Sequence, residues 1–304
     1  MRQNRSTFVM GSDAHLSRRS FGHGLFIALA LAGAGAIAAE PRRIVSLDFG
    51  LAETLLEIGV VPVGLTATDD WSDWVGEPRL PTGVVNLGGT FEPNVELLLE
   101  LKPDLILLTP FLAGLSDKLR RIAPVLSLPL YDEAGEPLKR ATEAALHLGR
   151  ITGRAAAAES LIARVDATFA RVRERLRPVS DTPVCIVQFM DARHVRVFGA
   201  KSLFQDVLDR IGLTNAWTRE TNYWGFATVG FEALATTEDI RLLRLAQADD
   251  YIRLSQGPLW RSMPFVQRGR VTALPPVLMF GALPSAERFA RLVDAQFAPA
   301  DDGG

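Results

Sequence analysis

The stretch "RAAAAESLIARVDATFARVRERL", residues 154–176, decides the fold of this 304-residue chain. It consists mainly of strong helix formers, its apolar residues recur at helical spacing, and no glycine or proline interrupts it. Gly149 and Gly153 precede it and allow a break in the helical pattern that begins at Pro137. The sequence therefore predicts one long, stiff α-helix, which joins the segments on its two sides and limits hinge motion between them.

The segment before the long helix alternates apolar strands with helices. Its strands are continuous apolar runs without polar alternation, which is typical of a parallel sheet covered on both faces. Gly59 closes the first helix, and a Lys-Pro-Asp sequence terminates the second. The predicted order is strand 43–47, helix 52–58, strand 62–65, helix 93–101 and strand 105–108.

The segment after the long helix repeats this order. A strand is predicted at 183–189 and a helix at 202–211, closed by Gly212. The run "VGFEALATTEDIRLLRL" then follows the pattern of "PNVELLLELKPDLILL" in the first segment, with an acidic helix start before an apolar strand. We predict two α/β lobes of similar design. Their predicted boundaries are 42–137 for the first lobe, 138–178 for the connecting helical region and 182–297 for the second lobe.

The N-terminus is typical of a secretory signal. Ser17-Arg18-Arg19-Ser20-Phe21 precedes an apolar stretch that is too short to span a bilayer, and Ala36-Ile37-Ala38 suits a signal peptidase. The arginine pair makes residues 1–38 a predicted twin-arginine signal peptide, so the mature protein is expected in the periplasm. The alternative is a chance arginine pair before a membrane anchor.

Composition narrows the possible functions. Removal of the leader takes away four arginines and one aspartate, so the formal charge changes from −2 to −5, and a mildly acidic chain is not expected to bind nucleic acid. Cys185 is the only cysteine, and His147 and His194 are too far apart to suggest a zinc site. The sequence contains no phosphate-binding glycine loop, no Gly-x-Ser-x-Gly elbow and no Cys–His pair. We therefore expect no catalytic residues, no metal site and no resident cofactor.

Aromatic residues fall in loops of both predicted lobes. Trp71 and Trp74 follow a strand of the first lobe, Trp224 lies in a polar turn of the second, and Phe280 lies in "PPVLMFGALP". Ligands of open α/β sheets bind outside the carboxyl ends of the strands, so these loops are expected to form one aromatic cleft. The alternative for each tryptophan is a purely structural anchor.

Five runs carry a resemblance that extends from Arg42 to Phe297. They are "RIVSLDFGLAETLLEIGVVPVG", "EPNVELLLELKPDLILL", "RHVRVFGAKSLFQDVLDRIGLTNAW", "ETNYWG" and "PLWRSMPFVQRGRV". In this order they resemble the periplasmic ferric-hydroxamate siderophore binding proteins. The resemblance implies an α/β fold of two Rossmann-like lobes joined by one long rigid α-helix, the helical-backbone class of periplasmic binding proteins.

The same resemblance implies a function. Such a protein is the substrate-binding component of an ABC importer; it binds a ferric siderophore, of the hydroxamate type first of all, and delivers it to an inner-membrane ABC permease. Iron is then expected only as part of the bound siderophore, and the protein is expected to act as a monomer. The alternatives are a cleft for another chelate, such as cobalamin, haem or a different siderophore, and, from another class, an exported enzyme.

The resemblance extends to individual site residues. Trp74 and Trp224 match cleft tryptophans of the family. Thr90 and Leu112 stand where the family has an arginine and a tyrosine that hydrogen-bond the hydroxamate oxygens, and three aromatic residues near the C-terminus are reduced to one. The expected ligand contacts are Trp74, Thr90, Leu112, Met190, Arg196, Trp224, Leu278, Met279 and Phe280.

Arg196 is the candidate replacement for the family's missing cation. Val195 and Val197 alternate with it in "HVRVFG", so Arg196 projects from the opposite face of a strand. An ordinary solvated arginine is the alternative. Arg79 and Tyr131 are weaker candidates.

Glu96 and Glu232 are the candidate permease contacts. Glu96 opens the predicted helix after Pro93-Asn94 in the first lobe, and Glu232 opens the predicted helix after Val229-Gly230 in the second. In the wider family, acidic residues at these places pair with arginines of the permease, and the resemblance extends this role to both glutamates. The alternative is that each carboxylate only complements the positive end of its helix.

Overall fold

The computed structural model describes residues 40–236, 239–245 and 255–297. The predicted signal peptide lies outside these residues. From Glu40 onward the chain forms one compact unit. Among the helices in these ranges, none combines the length and the apolar character needed to cross a membrane.

The first lobe is built on a five-stranded parallel sheet of order β3-β2-β1-β6-β7. This confirms the parallel sheet that the continuous apolar runs predict. Its strands are β1 (Ile44–Ser46), β2 (Gly64–Leu65), β3 (Val85–Asn86), β6 (Leu105–Leu108) and β7 (Val125–Ser127). The other elements are the ribbon of β4 (Gly88–Gly89) and β5 (Glu92–Pro93), the helices α1 (Phe49–Glu57), α2 (Trp71–Trp74), α3 (Val95–Leu101) and α4 (Ser116–Leu119), and the 3₁₀ helices Thr68–Asp70 and Pro110–Leu115.

Side-chain caps set where the helices of this lobe begin. Asp48 accepts a hydrogen bond from the Leu51 backbone N–H (2.9 Å), so α1 begins three residues earlier than its apolar spacing predicts. Asn94 accepts from the backbone N–H groups of Glu96 (3.0 Å) and Leu97 (3.1 Å) and starts α3. Each cap therefore sets the first residue of its helix.

The connecting region consists of two helices, α5 (Pro137–Ile151) and α6 (Ala155–Leu176). The chain turns between them at Gly153, whose φ of +67° is in the left-handed region that favours glycine. The predicted break and the predicted long helix are both present, and α6 alone has 22 residues. One face of α6 is buried, at Leu161, Val165 and Phe169 among others.

The second lobe has a mixed sheet of order β10-β9-β8-β11-β12. Strands β11 and β12 run parallel to β8, whereas β8, β9 and β10 are antiparallel neighbours. The strands are β8 (Val184–Phe189), β9 (His194–Phe198), β10 (Phe226–Gly230), β11 (Arg241–Leu245) and β12 (Val271–Leu274). The helices are α7 (Leu203–Ile211), the short helices Pro258–Ser262 and Pro264–Gln267, the C-terminal helix (Leu283–Phe297) and the 3₁₀ helix Phe231–Thr236.

The antiparallel half of this sheet distinguishes the second lobe from the first, whose sheet is entirely parallel. Only a short loop joins β8 to β9, and a parallel pair would need a longer crossover. Asp191 holds the loop, because its carboxylate accepts from the backbone N–H groups of Arg193 (2.7 Å) and His194 (2.8 Å). The similarity of the two halves is therefore limited to their α/β composition and to their parallel strands.

Two helices brace the lobes against each other. The C-terminal helix of the second lobe packs on α6 and on α1 of the first lobe. Arg164 of α6 forms ion pairs with Glu57 of α1 (2.6 Å) and with Glu287 of the C-terminal helix (3.1 Å). Inside this contact, the fully buried Glu53 of α1 accepts hydrogen bonds from the start of the C-terminal helix.

Candidate functional site

The candidate site is a cleft between the lobes, made of two adjoining cavities of about 290 and 390 Å³. Asp48 follows β1 and Thr109 follows β6, so the cleft lies at the carboxyl ends of the parallel strands of the first lobe. The second lobe contributes Arg196 and Phe280. All four of these residues, Asp48, Thr109, Arg196 and Phe280, line both cavities. The two cavities therefore form one continuous groove. Phe111 is the fifth shared residue.

The sequence "TNYWG" forms a tight turn that places Trp224 in the first cavity. The side-chain oxygen of Asn222 accepts hydrogen bonds from the backbone N–H groups of Trp224 (2.9 Å) and Phe226 (3.3 Å). Gly225 has a φ of +77°, and a side chain there would overlap the backbone at Ser202. The turn therefore depends on asparagine and glycine on either side of the aromatic pair.

Trp224 contacts aromatic rings from both lobes. Its ring centroid is 4.9 Å from that of Phe111 and 5.8 Å from that of Tyr131, both in the first lobe, and 5.4 Å from that of Phe280. These spacings are typical of favourable edge-to-face and tilted aromatic pairs. Trp224 is only half-buried, so one part of the indole packs on the protein and another part faces the cavity. This position is compatible with both the anchor and the cleft interpretation, and a contact of Trp224 with the ligand stays a prediction.

The second cavity collects most of the other predicted contacts. Trp74 and Thr90 line it from the first lobe, and both are partly exposed. Leu112 also lines it but is only 3% exposed, so it forms the back of the wall. The second lobe lines the same cavity with Leu278 and Met279, whose side chains are also buried. Thr90 and Leu112, which the resemblance places where the family has an arginine and a tyrosine, therefore both lie at the cavity.

Three residues that the sequence analysis considered lie outside the cavities. Met190 is 43% exposed at the end of β8 and is not among the lining residues of either cavity. Arg79 is exposed and does not line them either. Trp71 is 3% exposed, and its indole N–H donates to the Pro78 carbonyl (2.8 Å), so it is a core residue. Met190 remains a prediction that the cleft geometry does not support.

Tyr131 lines the first cavity, but its hydroxyl is already engaged. It donates to the Met279 carbonyl (3.1 Å), and the Tyr223 hydroxyl donates to the Tyr131 carbonyl (2.6 Å). Burial raises the pKa of the Tyr131 hydroxyl well above its usual value. These two bonds link the lobes at one end of the cleft, so Tyr131 positions the wall.

Two features of the groove were not predicted from the sequence. Phe91 and Phe111 are 61% and 57% exposed, and their ring centroids are 5.4 Å apart at the mouth of the second cavity. Asp48 lines both cavities, and burial raises the pKa of its carboxyl to about 6. Its place directly after the first apolar strand is a signal that could have identified it, because ligands bind at the carboxyl ends of such strands.

Arg196 reaches the floor of the groove from β9. Its Nη1 donates to the Gln188 side-chain oxygen (3.2 Å), and its guanidinium carbon lies 4.9 Å from the centroid of the Phe226 ring. Nε is buried and has no hydrogen-bond partner. Burial lowers the pKa of the guanidinium. The solvated-arginine alternative does not describe this environment.

The two candidate docking glutamates have matching positions. Glu96 is exposed in the first turn of α3, and Glu232 is exposed in the first turn of the 3₁₀ helix Phe231–Thr236. The sequence predicts a helix start at both places, and the second one is shorter and tighter than expected. Neither carboxylate has an ion-pair partner within the described part of the chain.

Two lobes, a long connecting helix and an aromatic groove between the lobes define a two-lobe ligand-binding protein. Within the described ranges, no group of three or more His, Cys, Asp or Glu side chains is placed to hold a metal ion. The chain belongs to the periplasmic binding protein family, whose model matches residues 44–278.

Similar proteins include several that bind iron chelates. The chain is 35% identical to the iron(3+)-hydroxamate-binding protein FhuD of Escherichia coli, over 86% of this chain and 88% of that protein. The Fe³⁺–Desferal-bound siderophore binding protein FhuD of Vibrio cholerae superimposes with a TM-score of 0.82 at 30% identity, over 85% of this chain and 99% of that one. The petrobactin-binding protein YclQ of Bacillus subtilis has the same fold, with a TM-score of 0.72 at 19% identity over 85% and 92% of the two chains.

Proposed function

We propose that this protein is the periplasmic substrate-binding component of an ABC importer and that it carries a ferric siderophore to an inner-membrane permease. The observation that carries the proposal is the aromatic groove between the lobes, in a chain 35% identical to a ferric-hydroxamate-binding protein. Ferric hydroxamates are the first ligand class to test, because two similar proteins are named for hydroxamate or Desferal complexes. Iron is the cargo and not a resident cofactor.

The groove is suited to a chelate that already surrounds its metal. A siderophore supplies all of the oxygens that coordinate iron, so the protein needs to bury only the organic exterior of the complex. Trp224, Phe280 and Trp74 provide apolar surface for this purpose, and burial of such surface contributes about 25 cal/mol per Å². Arg196 is the cation that lines both cavities, and Asp48 also lines both. Apolar contact therefore supplies most of the expected affinity.

A second candidate ligand class is another chelate, such as cobalamin, haem or a non-hydroxamate siderophore. Thr90 and Leu112 favour it, since they cannot replace the charge and the donors of an arginine and a tyrosine. Quenching of tryptophan fluorescence in the mature protein separates the classes. We expect saturable quenching by ferric trihydroxamates and little by ferric catecholates, cyanocobalamin or haem. Saturable binding of cobalamin or haem alone would overturn the hydroxamate assignment.

Trp224→Ala is expected to weaken chelate binding by ~1–3 kcal/mol, the scale for loss of a well-packed aromatic contact. The reason is that the indole forms the wall of the first cavity and holds Phe111 and Phe280 in place. Calorimetric titration measures the effect without depending on the fluorescence of the removed residue. Trp224→Phe is the matched control and should retain most of the affinity. Unchanged affinity with a lowered melting temperature would show that Trp224 is only a structural anchor.

We also propose that residues 1–38 direct the folded protein to the periplasm by the twin-arginine route. Arg18 and Arg19 carry this proposal. Changing both to Lys is expected to retain the precursor in the cytoplasm, as measured by cell fractionation and immunoblotting. If export continues in that variant and stops only when the general secretory pathway is blocked, the leader is not of the twin-arginine type.

A further inference from the structure

Arg196 has one edge of its guanidinium without a partner. Nη1 is committed to Gln188 and lies 4.0 Å from the Met279 sulfur. The opposite edge, formed by Nε and Nη2, has no hydrogen-bond acceptor among the described residues, and its Nε is shielded from solvent. An arginine presents two parallel N–H donors on this edge, in the geometry that a carboxylate accepts.

The positive charge also lacks a counter-ion. Its described neighbours are the neutral side chains of Gln188, Phe226 and Met279. Asp48 lines the same cavities, yet no ion pair joins it to Arg196, and burial raises the pKa of Asp48 to about 6, whereas an adjacent guanidinium would lower it. Arg196 is partly buried, so its charge is incompletely hydrated and has no ion-pair partner among the described residues.

The surroundings hold this edge in one orientation. Val195 and Val197 are fully buried on the other face of β9, which fixes the strand, and the Phe226 ring supports the guanidinium plane at 4.9 Å. Both cavities include Arg196 among their lining residues, so a ligand in the groove meets it at the floor. A preorganised donor pair loses little conformational entropy on binding.

We propose that Arg196 makes this protein selective for ferric chelates that carry an anionic oxygen, such as a siderophore with a free carboxylate, over neutral and cationic chelates of the same core. This inference rests on the proposed function and adds the charge class of the ligand. The carboxylate accepts a hydrogen bond from Nη2 and supplies the opposite charge that Arg196 lacks among the described residues. Selectivity then comes from the second lobe, whereas Thr90 and Leu112 leave the first lobe without a charged group at the matching positions.

The test uses one ferric trihydroxamate core with three charges. Ferric desferrioxamine B has a free ammonium group, its N-acetyl derivative is neutral, and its N-succinyl derivative has a carboxylate. Dissociation constants are measured by calorimetry for the wild-type protein and for Arg196→Met and Arg196→Lys. We expect the wild type to prefer the succinyl chelate, and Arg196→Met to lose ~10–100-fold of affinity for it, the scale for hydrogen bonds to a charged group. Affinity for the acetyl chelate should fall by a clearly smaller factor, because this chelate has no carboxylate to pair with the guanidinium.

Arg196→Lys is the matched control. It retains the positive charge but not the paired donors, so it should keep only part of the preference. Melting temperatures establish that each variant is folded. The inference is overturned if the wild type binds the three chelates equally, or if Arg196→Met weakens all three by the same factor, which would indicate a role in wall packing only. If the proposed function is wrong, the result is different: no ferric trihydroxamate binds to the wild type or to either variant. In that case the inference is wrong as well.

Discussion

Replacing Glu96 and Glu232 together with Arg is expected to abolish chelate uptake without changing chelate affinity in solution. Each carboxylate is exposed at the start of a helix, one in each lobe, and neither lines the groove. If arginines of the permease receive both carboxylates, the substitution turns two attractions into two repulsions. Like charges brought together at an interface cost several kcal/mol, which is enough to remove functional docking.

Two measurements and one control make this prediction specific. Transport is measured in cells that lack the native protein, and ATP hydrolysis is measured with the permease in vesicles. Asp117→Arg/Glu159→Arg is the control, because it makes the same change in charge at two other exposed positions, on α4 and on α6. The control should support normal uptake. Normal uptake by the glutamate variant as well would mean that Glu96 and Glu232 only complement their helix ends.

Glu53→Ala is expected to lower the free energy of unfolding by ~3–4 kcal/mol, because it leaves several buried donors unsatisfied at about 1–3 kcal/mol each. Glu53 Oε1 accepts from the backbone N–H groups of Ala282 (2.7 Å) and Ser285 (3.3 Å), and Oε2 lies 2.6 Å from the Ser285 hydroxyl. These bonds attach α1 of the first lobe to the start of the C-terminal helix. Denaturant unfolding measures the loss, and an effect below about 1 kcal/mol would show that this link is dispensable.

Glu53→Gln tests whether the Glu53 carboxyl is protonated in the folded protein. Burial raises the pKa of Glu53 to about 8 from its ordinary value of 4.5, with a smaller contribution from the charge of Asp48, while the Ser285 and Ala282 hydrogen bonds act in the opposite direction. The folded state therefore binds this proton more tightly than the unfolded state does. The stabilisation is complete below about pH 4.5 and is lost as the pH rises through 8.

The glutamine resembles the protonated carboxyl and cannot ionise. Melting temperatures from pH 5 to 9 should therefore fall less steeply for Glu53→Gln than for the wild type, and the difference should be largest at the alkaline end. The comparison between the two proteins cancels the shared contributions of Asp48 and Asp206, whose pKa values burial also raises to about 6. Parallel curves would mean that Glu53 remains ionised in the folded protein.

Local sequence signals were sufficient for much of this fold. The long helix was predictable because nothing in residues 155–176 interrupts good helix formers, and the end of α7 was predictable because Gly212 has a φ of +78°. Strand β6 was placed at the right residues because a fully buried strand is a continuous apolar run. Trp224 was predicted in the cleft because aromatic residues occur in loops of both lobes and because it matches a cleft tryptophan of the family, and it does line the first cavity.

Features that depend on distant contacts were not predictable in the same way. The apolar run of β8 does not indicate whether its neighbours are parallel or antiparallel, since a buried strand has the same composition in both cases. The Phe91–Phe111 pair and the link between Glu53 and Ser285 join residues that only the tertiary fold brings together. Arg196 was recognisable as a candidate by its strand face, but its missing partner became evident only from the neighbouring side chains.

The bracing of the lobes by α6 and the C-terminal helix has a kinetic consequence. A helix of 22 residues is about 33 Å long, and Arg164 attaches it to both lobes through Glu57 and Glu287. Because this bracing leaves little room for a slow rearrangement, we expect ligand capture in a single step, with an observed rate that rises linearly with chelate concentration. Differences in affinity among chelates then lie mainly in how long each complex survives. If the protein is the proposed carrier, its bound state must last longer than its search for the permease.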